Sequence, residues 1–504
     1  NFVAGSTAGD SIVSGGNYNT LVGTNAGTAI TTGDNNTAFG YLASRVITTG
    51  SNNVSVGAGG NLGANTTGAN NVAVGYASLG GNTTASDNVA VGFDSLASNT
   101  TGGNLVAVGK GALESNTTAN NGVAVGLRAL NANTTGANNT AMGRDALYVN
   151  TTGGNNVALG AFALDANTTA SHGSAFGYSA LSAATTAQDN SAFGAYALQS
   201  ATTGASNTAV GVASLQTNTT GALNTAVGKN ASLANTTGSW NTAVGQGAMQ
   251  ANTTGAENAA FGYQALKENT TGGNNTAIGR LALTKNTTAS LNTALGIAAL
   301  QTSTTGEKNT AVGVSAGNVL TTGNKNTFIG YQAGLTVTTG SENVRIGHQA
   351  GGSETTGNTQ LWIARGPQGV GNSSVWIHGS TAGGCYQGDN TTTWSTISDE
   401  RIKKNIVDSP NGLAKIDAIQ VRNFNFRTEE EVTVEGLTTS DAAGLQTGVI
   451  AQELELVLPN AVSENDHGLK QVNTDPIFWS MVKAIQELST QNEALEARLT
   501  ALEA

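Results

Sequence analysis

The chain has 504 residues, 68 of them Gly and only 4 Pro, with 11% charged and 5% aromatic side chains and a formal net charge of -11. Glycine does not fall at every third position, which excludes collagen, and no stretch reaches the roughly 20 apolar residues of a membrane helix, so no membrane insertion is expected. The acidic balance argues against nucleic acid as a partner, and a single cysteine, Cys385, rules out an intrachain disulfide framework and a zinc knuckle.

The opening segment NFVAGSTAGD has neither Met nor a signal-peptide pattern, which gives the expectation of a processed or partial product. From there a unit close to N-T-A-V-G-x-x-A-L-x-x-N-T-T-G-x-N repeats, with anchor glycines at Gly23, Gly40, Gly57, Gly75, Gly92 and onward to Gly330 and Gly347. The step from Gly23 to Gly40 recurs throughout, lengthened by one residue only between Gly57 and Gly75. Each anchor follows an apolar residue, as at Val22, Phe39, Val56 and Ile346, and the residue before that is usually Ala, as at Ala38, Ala73 and Ala107. Leu or Met stands four residues after most anchors, as at Leu79, Leu113 and Met249.

Gly, Thr, Asn and Val are poor helix formers, and so short a unit cannot hold a helix pair. The seventeen-residue unit fits one coil of a parallel β-solenoid, with rungs about 4.8 Å apart. Proline is absent from residues 1–366 because interior strands must donate along the ladder. Alternation along the strand suggests that the Val-type residue and the Leu turn inward, while the Ala column points the other way, toward a three-fold axis. So thin a coil needs neighbours along the rod. Residues 1–350 are thus expected to form a solenoid shaft. The repeated Asn-Thr-Thr reads as turn chemistry at each corner rather than as glycan acceptors. Stacked pairs such as Thr219-Thr220 and Thr236-Thr237 also suggest exposed hydroxyl ladders, and with them a minor alternative of an ice- or glycan-binding solenoid.

The unit Asn207-Thr208-Ala209-Val210-Gly211 resembles the head repeat of trimeric autotransporter adhesins. That resemblance implies a trimeric parallel β-roll over about two-thirds of the chain. The period is longer than is usual there, and nothing after Ala350 reads as the membrane-barrel anchor of that family.

Residues 351–397 read as a β-rich neck with Trp362, Trp376 and Trp394. Trp362-Ile363-Ala364 and Val375-Trp376-Ile377 suggest two short strands. The tryptophans either pack the seam or form a receptor-facing, glycan-stacking platform.

From Ser398 onward the chemistry changes: 27 of the chain's 53 Asp, Glu, Lys and Arg lie here, with only 5 of the 68 Gly. Residues 398–476 suggest an α+β domain with strands at 420–427, 431–437 and 447–451 and a helix at 452–457. Residues 477–504 suggest a coiled-coil helix. Phe478, Ile485, Asn492 and Leu499 hold one heptad position, and Met481, Leu488, Leu495 and Leu502 the other.

Ser398-Asp399-Glu400-Arg401-Ile402-Lys403-Lys404-Asn405-Ile406 looks like the S-D-x-R-x-K-x-x-I signature of the peptidase S74 intramolecular chaperone family. Gly448-Val449-Ile450-Ala451-Gln452-Glu453 is similar to that family's second block, and Lys483-Ala484-Ile485-Gln486-Glu487 to the start of its terminal helix. Such domains end phage tail fibres and tailspikes and some cellular proteins. The resemblance implies trimerisation, templated folding of the preceding β-structure, and a cut at Ile397–Ser398. Serine needs a base, and a lysine serves when neighbouring cations lower its pKa. Ser398 would be the nucleophile and Lys403 the base, supported by Arg401 and Lys404, with Lys404 as the alternative base. Asp399, Gln452 and Glu453 are supporting residues. Ser398 also reads as a plain helix cap.

The acids of the repeat region, such as Asp94, Asp145 and Asp165, fall singly, so no turnover enzyme is expected beyond self-cleavage in cis. His172, His348, His378 and His467 show no ligand spacing, so neither metal nor other cofactor is expected. Together these features suggest a mainly β, homotrimeric fibre subunit of a phage tail or virion, located extracellularly. Its partners would be a host-surface glycan or protein receptor and, through an N-terminal segment, other virion proteins. The alternative is a bacterial surface or secreted trimeric adhesin.

Overall fold

The computed structural model describes residues 1–351, 355–365, 374–379, 385–387, 407, 409, 412–427, 444–464 and 470–503. The chain divides into two compact units, residues 1–393 and 394–504.

The first unit is a parallel β-solenoid. Its rungs are three-residue strands, from β1 (Phe2–Ala4) and β2 (Thr20–Val22) to β21 (Val344–Ile346). Each strand pairs in register with its counterpart one repeat later, as Thr208, Ala209 and Val210 do with Thr225, Ala226 and Val227. Further backbone hydrogen bonds around each coil tie neighbours together, for example Leu113 N–H to Ala129 O at 3.0 Å and Thr117 N–H to Thr134 O at 3.1 Å. The anchor glycine permits the corner. At Gly228, φ is +135° and an added Cβ would lie 2.6 Å from the Gly245 carbonyl oxygen, so neither the backbone nor the stacking admits a side chain. The Leu four residues on is also left-handed, as at Leu113 with φ 51°. That conformation is costly for Leu and persists only because adjacent coils hold it.

The facing of the strands reverses the sequence expectation. From β2 onward the middle residue of each rung, such as Ala38, Ala73, Ala107, Ala209 or Ala311, is fully buried inside its own coil, against the Leu and Ala of the opposite wall. The flanking residues turn outward: Phe39, Val210, Phe261, Ile278 and Ile329 are exposed. The Ala column therefore lines the coil interior and does not face a three-fold axis. The cause is width, since the opposite wall fills the interior with a Leu in most coils and leaves room for only a methyl at the strand position.

Two asparagine ladders satisfy the corners. Asn235 Nδ2 donates to Asn218 Oδ1 at 2.8 Å and to Gly238 O at 2.9 Å. On the other corner, Asn241 N–H donates to Asn224 Oδ1 at 3.0 Å, and Asn241 Nδ2 to Gly255 O at 2.8 Å. Both columns are buried. These paired side-chain amides, which stop at the unpartnered Oδ1 atoms of Asn167 and Asn286, supplement the narrow Leu/Ala core of a thin coil.

The inner column enlarges where the solenoid ends. Ala311, Phe328, Arg345 and Trp362 are successive register partners. Arg345 is fully buried, and its guanidinium donates to Gln360 Oε1 at 3.2 Å. Strand β22 (Leu361–Arg365) continues the parallel stack on β21 and then pairs antiparallel with β23 (Ser374–Gly379), which pairs with β24 (Cys385–Gln387). A repeat array needs such an end, because its last coil would otherwise expose an unpaired ladder.

The second unit contains α1 (Gly412–Ala418), β25 (Arg422–Phe424), β26 (Gln446–Gly448), α2 (Ala451–Val457), a 3-10 turn at Pro459–Ala461, β27 (Val462–Glu464), β28 (Lys470–Val472) and α3 (Thr474–Glu503). β25–β26 and β27–β28 are antiparallel pairs. The expected strand at 431–437 lies outside the described residues. The expected strand at 447–451 gives way to α2 after Gly448, and α3 begins ahead of Phe478.

Candidate functional site

Ile397, Ser398, Asp399, Arg401, Lys403, Lys404 and Trp394 lie outside the described residues. The two supporting residues further along are placed. β26 runs through Gly448 into α2, which carries Gln452 on its exposed side and Glu453 toward β25. Glu453 grips the Arg422 guanidinium with both carboxylate oxygens, at 2.9 and 3.0 Å. This fork fixes the start of α2 against the β25–β26 ladder, and the carboxylate raises the Arg422 pKa further above its usual value. Below it Leu454, Leu458 and Ala461 form a small core with Ile419, Val449, Val462, Val472 and Ile477. Glu455 pairs with Lys470, which binds α2 to β28.

Helix α3 uses two faces differently. Ser480 and Ala484 are buried, and the Glu487 carboxylate accepts the first amides of α1, from Leu413 at 2.8 Å and Gly412 at 3.0 Å. Those hydrogen bonds hold the Glu487 carboxyl below its usual pKa. Gly412 is needed there, since a Cβ would stand 2.5 Å from the Ala484 nitrogen. The heptad positions form the other face. Phe478, Met481, Ile485, Leu488, Leu495, Leu499 and Leu502 are all exposed, as is Trp479. These residues form an apolar stripe along the open side of the helix. Neither α1 nor the Glu487 cap is evident in the sequence; the only hint is Asn411-Gly412 before a short apolar-polar run.

Trp362 is 3% exposed and packs at the end of the inner column. Trp376 lies on β23. Along the solenoid the two threonines of each pair differ. The first bonds the next coil, as Thr219 Oγ1 does to Thr236 O at 3.0 Å, and the second, such as Thr220 or Thr237, is exposed. Burial raises the pKa of Asp94 and of Asp165. Among the described residues no cluster of His, Cys, Asp and Glu could hold a metal ion, and no helix is long and apolar enough to cross a membrane.

Residues 398–463 match the family Peptidase_S74, described as Chaperone of endosialidase. The chain thus carries an S74 chaperone domain after a β-solenoid. The Arg422–Glu453 fork and most of the small core lie within the matched residues, and α3 follows them. No solved structure matches the chain.

Proposed function

We propose that the protein is a homotrimeric fibre subunit, of a phage tail or virion, whose S74 domain aligns three chains, assists the solenoid to fold, and then cuts itself away. The observation that carries the reading is the S74 match at residues 398–463, C-terminal to the solenoid in the sequence. The uncovered apolar seam of α3 supplies the contact that would gather three chains. In-register parallel pairing over many rungs is slow and exposes edges while it proceeds. Three chains clamped at one end share a register and a high effective concentration. After closure the rod is held kinetically, and the clamp becomes dispensable.

For the cut, Ser398 Oγ attacks the Ile397 carbonyl carbon as Lys403, or Lys404 in its place, accepts the hydroxyl proton. The Ile397–Ser398 C–N bond breaks, and the proton passes to the freed Ser398 amine. Water then hydrolyses the ester left on Oγ, releasing an Ile397 carboxylate. The mature fibre would work outside the cell, attached to a host-surface glycan or protein. The adhesin-like repeat unit favours a second reading, a bacterial surface or secreted trimeric adhesin using the same assembly domain.

The test is a denaturing gel of wild type and Ser398→Ala. Wild type should give a shortened fragment that ends at Ile397, together with the released tail. The variant should stay at the full 50.3 kDa. The same shortened fragment from Ser398→Ala would remove the serine from its role.

A further inference from the structure

In every coil from β2 to β21 the two flanking strand residues face out of the solenoid. The position before the anchor glycine is apolar in all of these coils: Val, Phe, Met, Leu or Ile. The position two residues earlier is only Thr, Val, Ser or Ala, and no charged residue occupies either column. Charges do occur on the surface beside them, just past the anchors, at Lys110, Arg144, Lys229 and Arg280. On the strand itself the larger apolar side chain thus lies outside the coil and the Ala inside, packed against the buried Leu wall, so each coil leaves a large apolar side chain uncovered. Phe39, Phe193, Phe261, Ile278, Leu295 and Ile329 on this stripe are each about 40% exposed or more.

We infer that this strand face, and not the threonine face, is the surface along which copies of the chain pack together. The inference rests on the trimeric reading above and names the surface that would make it. The occupant follows from periodicity. The stripe repeats at the rung spacing of about 4.8 Å, and only a body with the same spacing meets every rung with the same contact. A second copy of this solenoid has that spacing by construction. With about 20 rungs at that spacing and a width of about 10 Å for two outward residues, the stripe covers roughly 900 Å², close to one partner's share of a standard interface. The face is also continuous and uncharged, so in-register copies bring no like charges together. The Thr column, equally regular, offers small side chains whose first hydroxyl is already bonded to the next coil and whose second is exposed.

The experiment uses the full chain with Cys385→Ser and a single new thiol, at Val227→Cys on the stripe or at Thr237→Cys on the threonine column. Both sites are exposed in the single chain. Oligomeric mass is measured first, and native labelling by a maleimide is then compared with labelling after denaturation. The expected result is a trimer in which the thiol of Val227→Cys reacts at least about tenfold more slowly than that of Thr237→Cys, with equal rates once denatured. A monomeric mass would overturn the trimeric reading and the interface together. A trimer with equal native rates at the two sites, or with Thr237→Cys the slower, would leave the trimer standing and remove this face from it. Val227→Asp offers an independent check: it should abolish the trimer, and an unchanged trimer would count against the face.

Discussion

The Phe328 ring occupies the space that a side chain at Gly334 would need: a Cβ there would stand 2.6 Å from the ring's Cδ1. Gly317, one repeat earlier, is as close on the other side, 2.6 Å from Cδ2. In the preceding coils that slot holds Leu283 or Leu300, and the inner strand position holds Ala277 or Ala294. Volume has been moved across the coil from one wall to the other. Phe328→Ala should therefore leave a cavity and cost about 3–5 kcal/mol. Gly334→Ala should also destabilise, through the clash and through its φ of +72°. The double variant should be more stable than the sum of the two, by about 1 kcal/mol or more, because removing the ring relieves the clash. Thermal melts of the four proteins test this; strict additivity would mean that the two sites do not share one space.

A second prediction concerns the buried amide ladder. Asn235 gives its two N–H bonds to the oxygens of Asn218 and Gly238 and receives one from Asn252 Nδ2 at 2.8 Å. Asn235→Asp would turn a carboxylate toward two acceptors, and the expected loss is about 3 kcal/mol near neutral pH. Protonation at low pH should recover part of it. Asn235→Ala should cost about 1 kcal/mol, since it removes bonds without burying charge; Ala184 and Ala201 already occupy the equivalent position in two coils. Melting temperature against pH distinguishes the two variants, and equal losses at neutral pH would contradict the charge argument.

The solenoid was legible because a recurring glycine with positive φ marks every corner at the same interval. Strand positions, turn chemistry and the Leu wall follow from that period. The facing of the strand was not, because Val-Ala-Val alternates identically whichever side is inside. Only the width of the closed coil decides, and width is a property of the whole turn and not of any residue. In the second unit, the terminal helix was readable from Phe478, Ile485 and Leu488 and their heptad partners. Helix α1 was not, because seven residues from Gly412 carry too little periodicity, and its N-terminal amides are capped by Glu487, 74 residues away from Leu413.

The seam of α3 gives a third prediction. Ile485→Asp and Leu488→Asp place charges on the uncovered heptad face, while Ala497→Asp, also on the exposed helix, stands off that face. The two seam variants should refold with little trimer, and Ala497→Asp with the wild-type yield, as read by native mass after dilution from denaturant. Normal trimer yield from both seam variants would show that the helix takes no part in gathering the chains.

The Glu487 cap makes the second unit sensitive to acid. Its carboxylate accepts the Leu413 and Gly412 amides, so its folded pKa lies below the ordinary glutamate value of 4.5. Folding therefore favours the ionised form. The contribution is fully present above the unfolded pKa, begins to fade as pH falls below it, and is gone once pH passes beneath the depressed folded value. Amide exchange at Leu413 should be slow at neutral pH, and its protection should weaken as the pH drops below about 4.5. Glu487→Gln retains a single acceptor oxygen and no charge. It should lower protection at neutral pH and remove this group's share of the acid dependence. An unchanged pH profile in Glu487→Gln would take this cap out of the acid sensitivity of the unit.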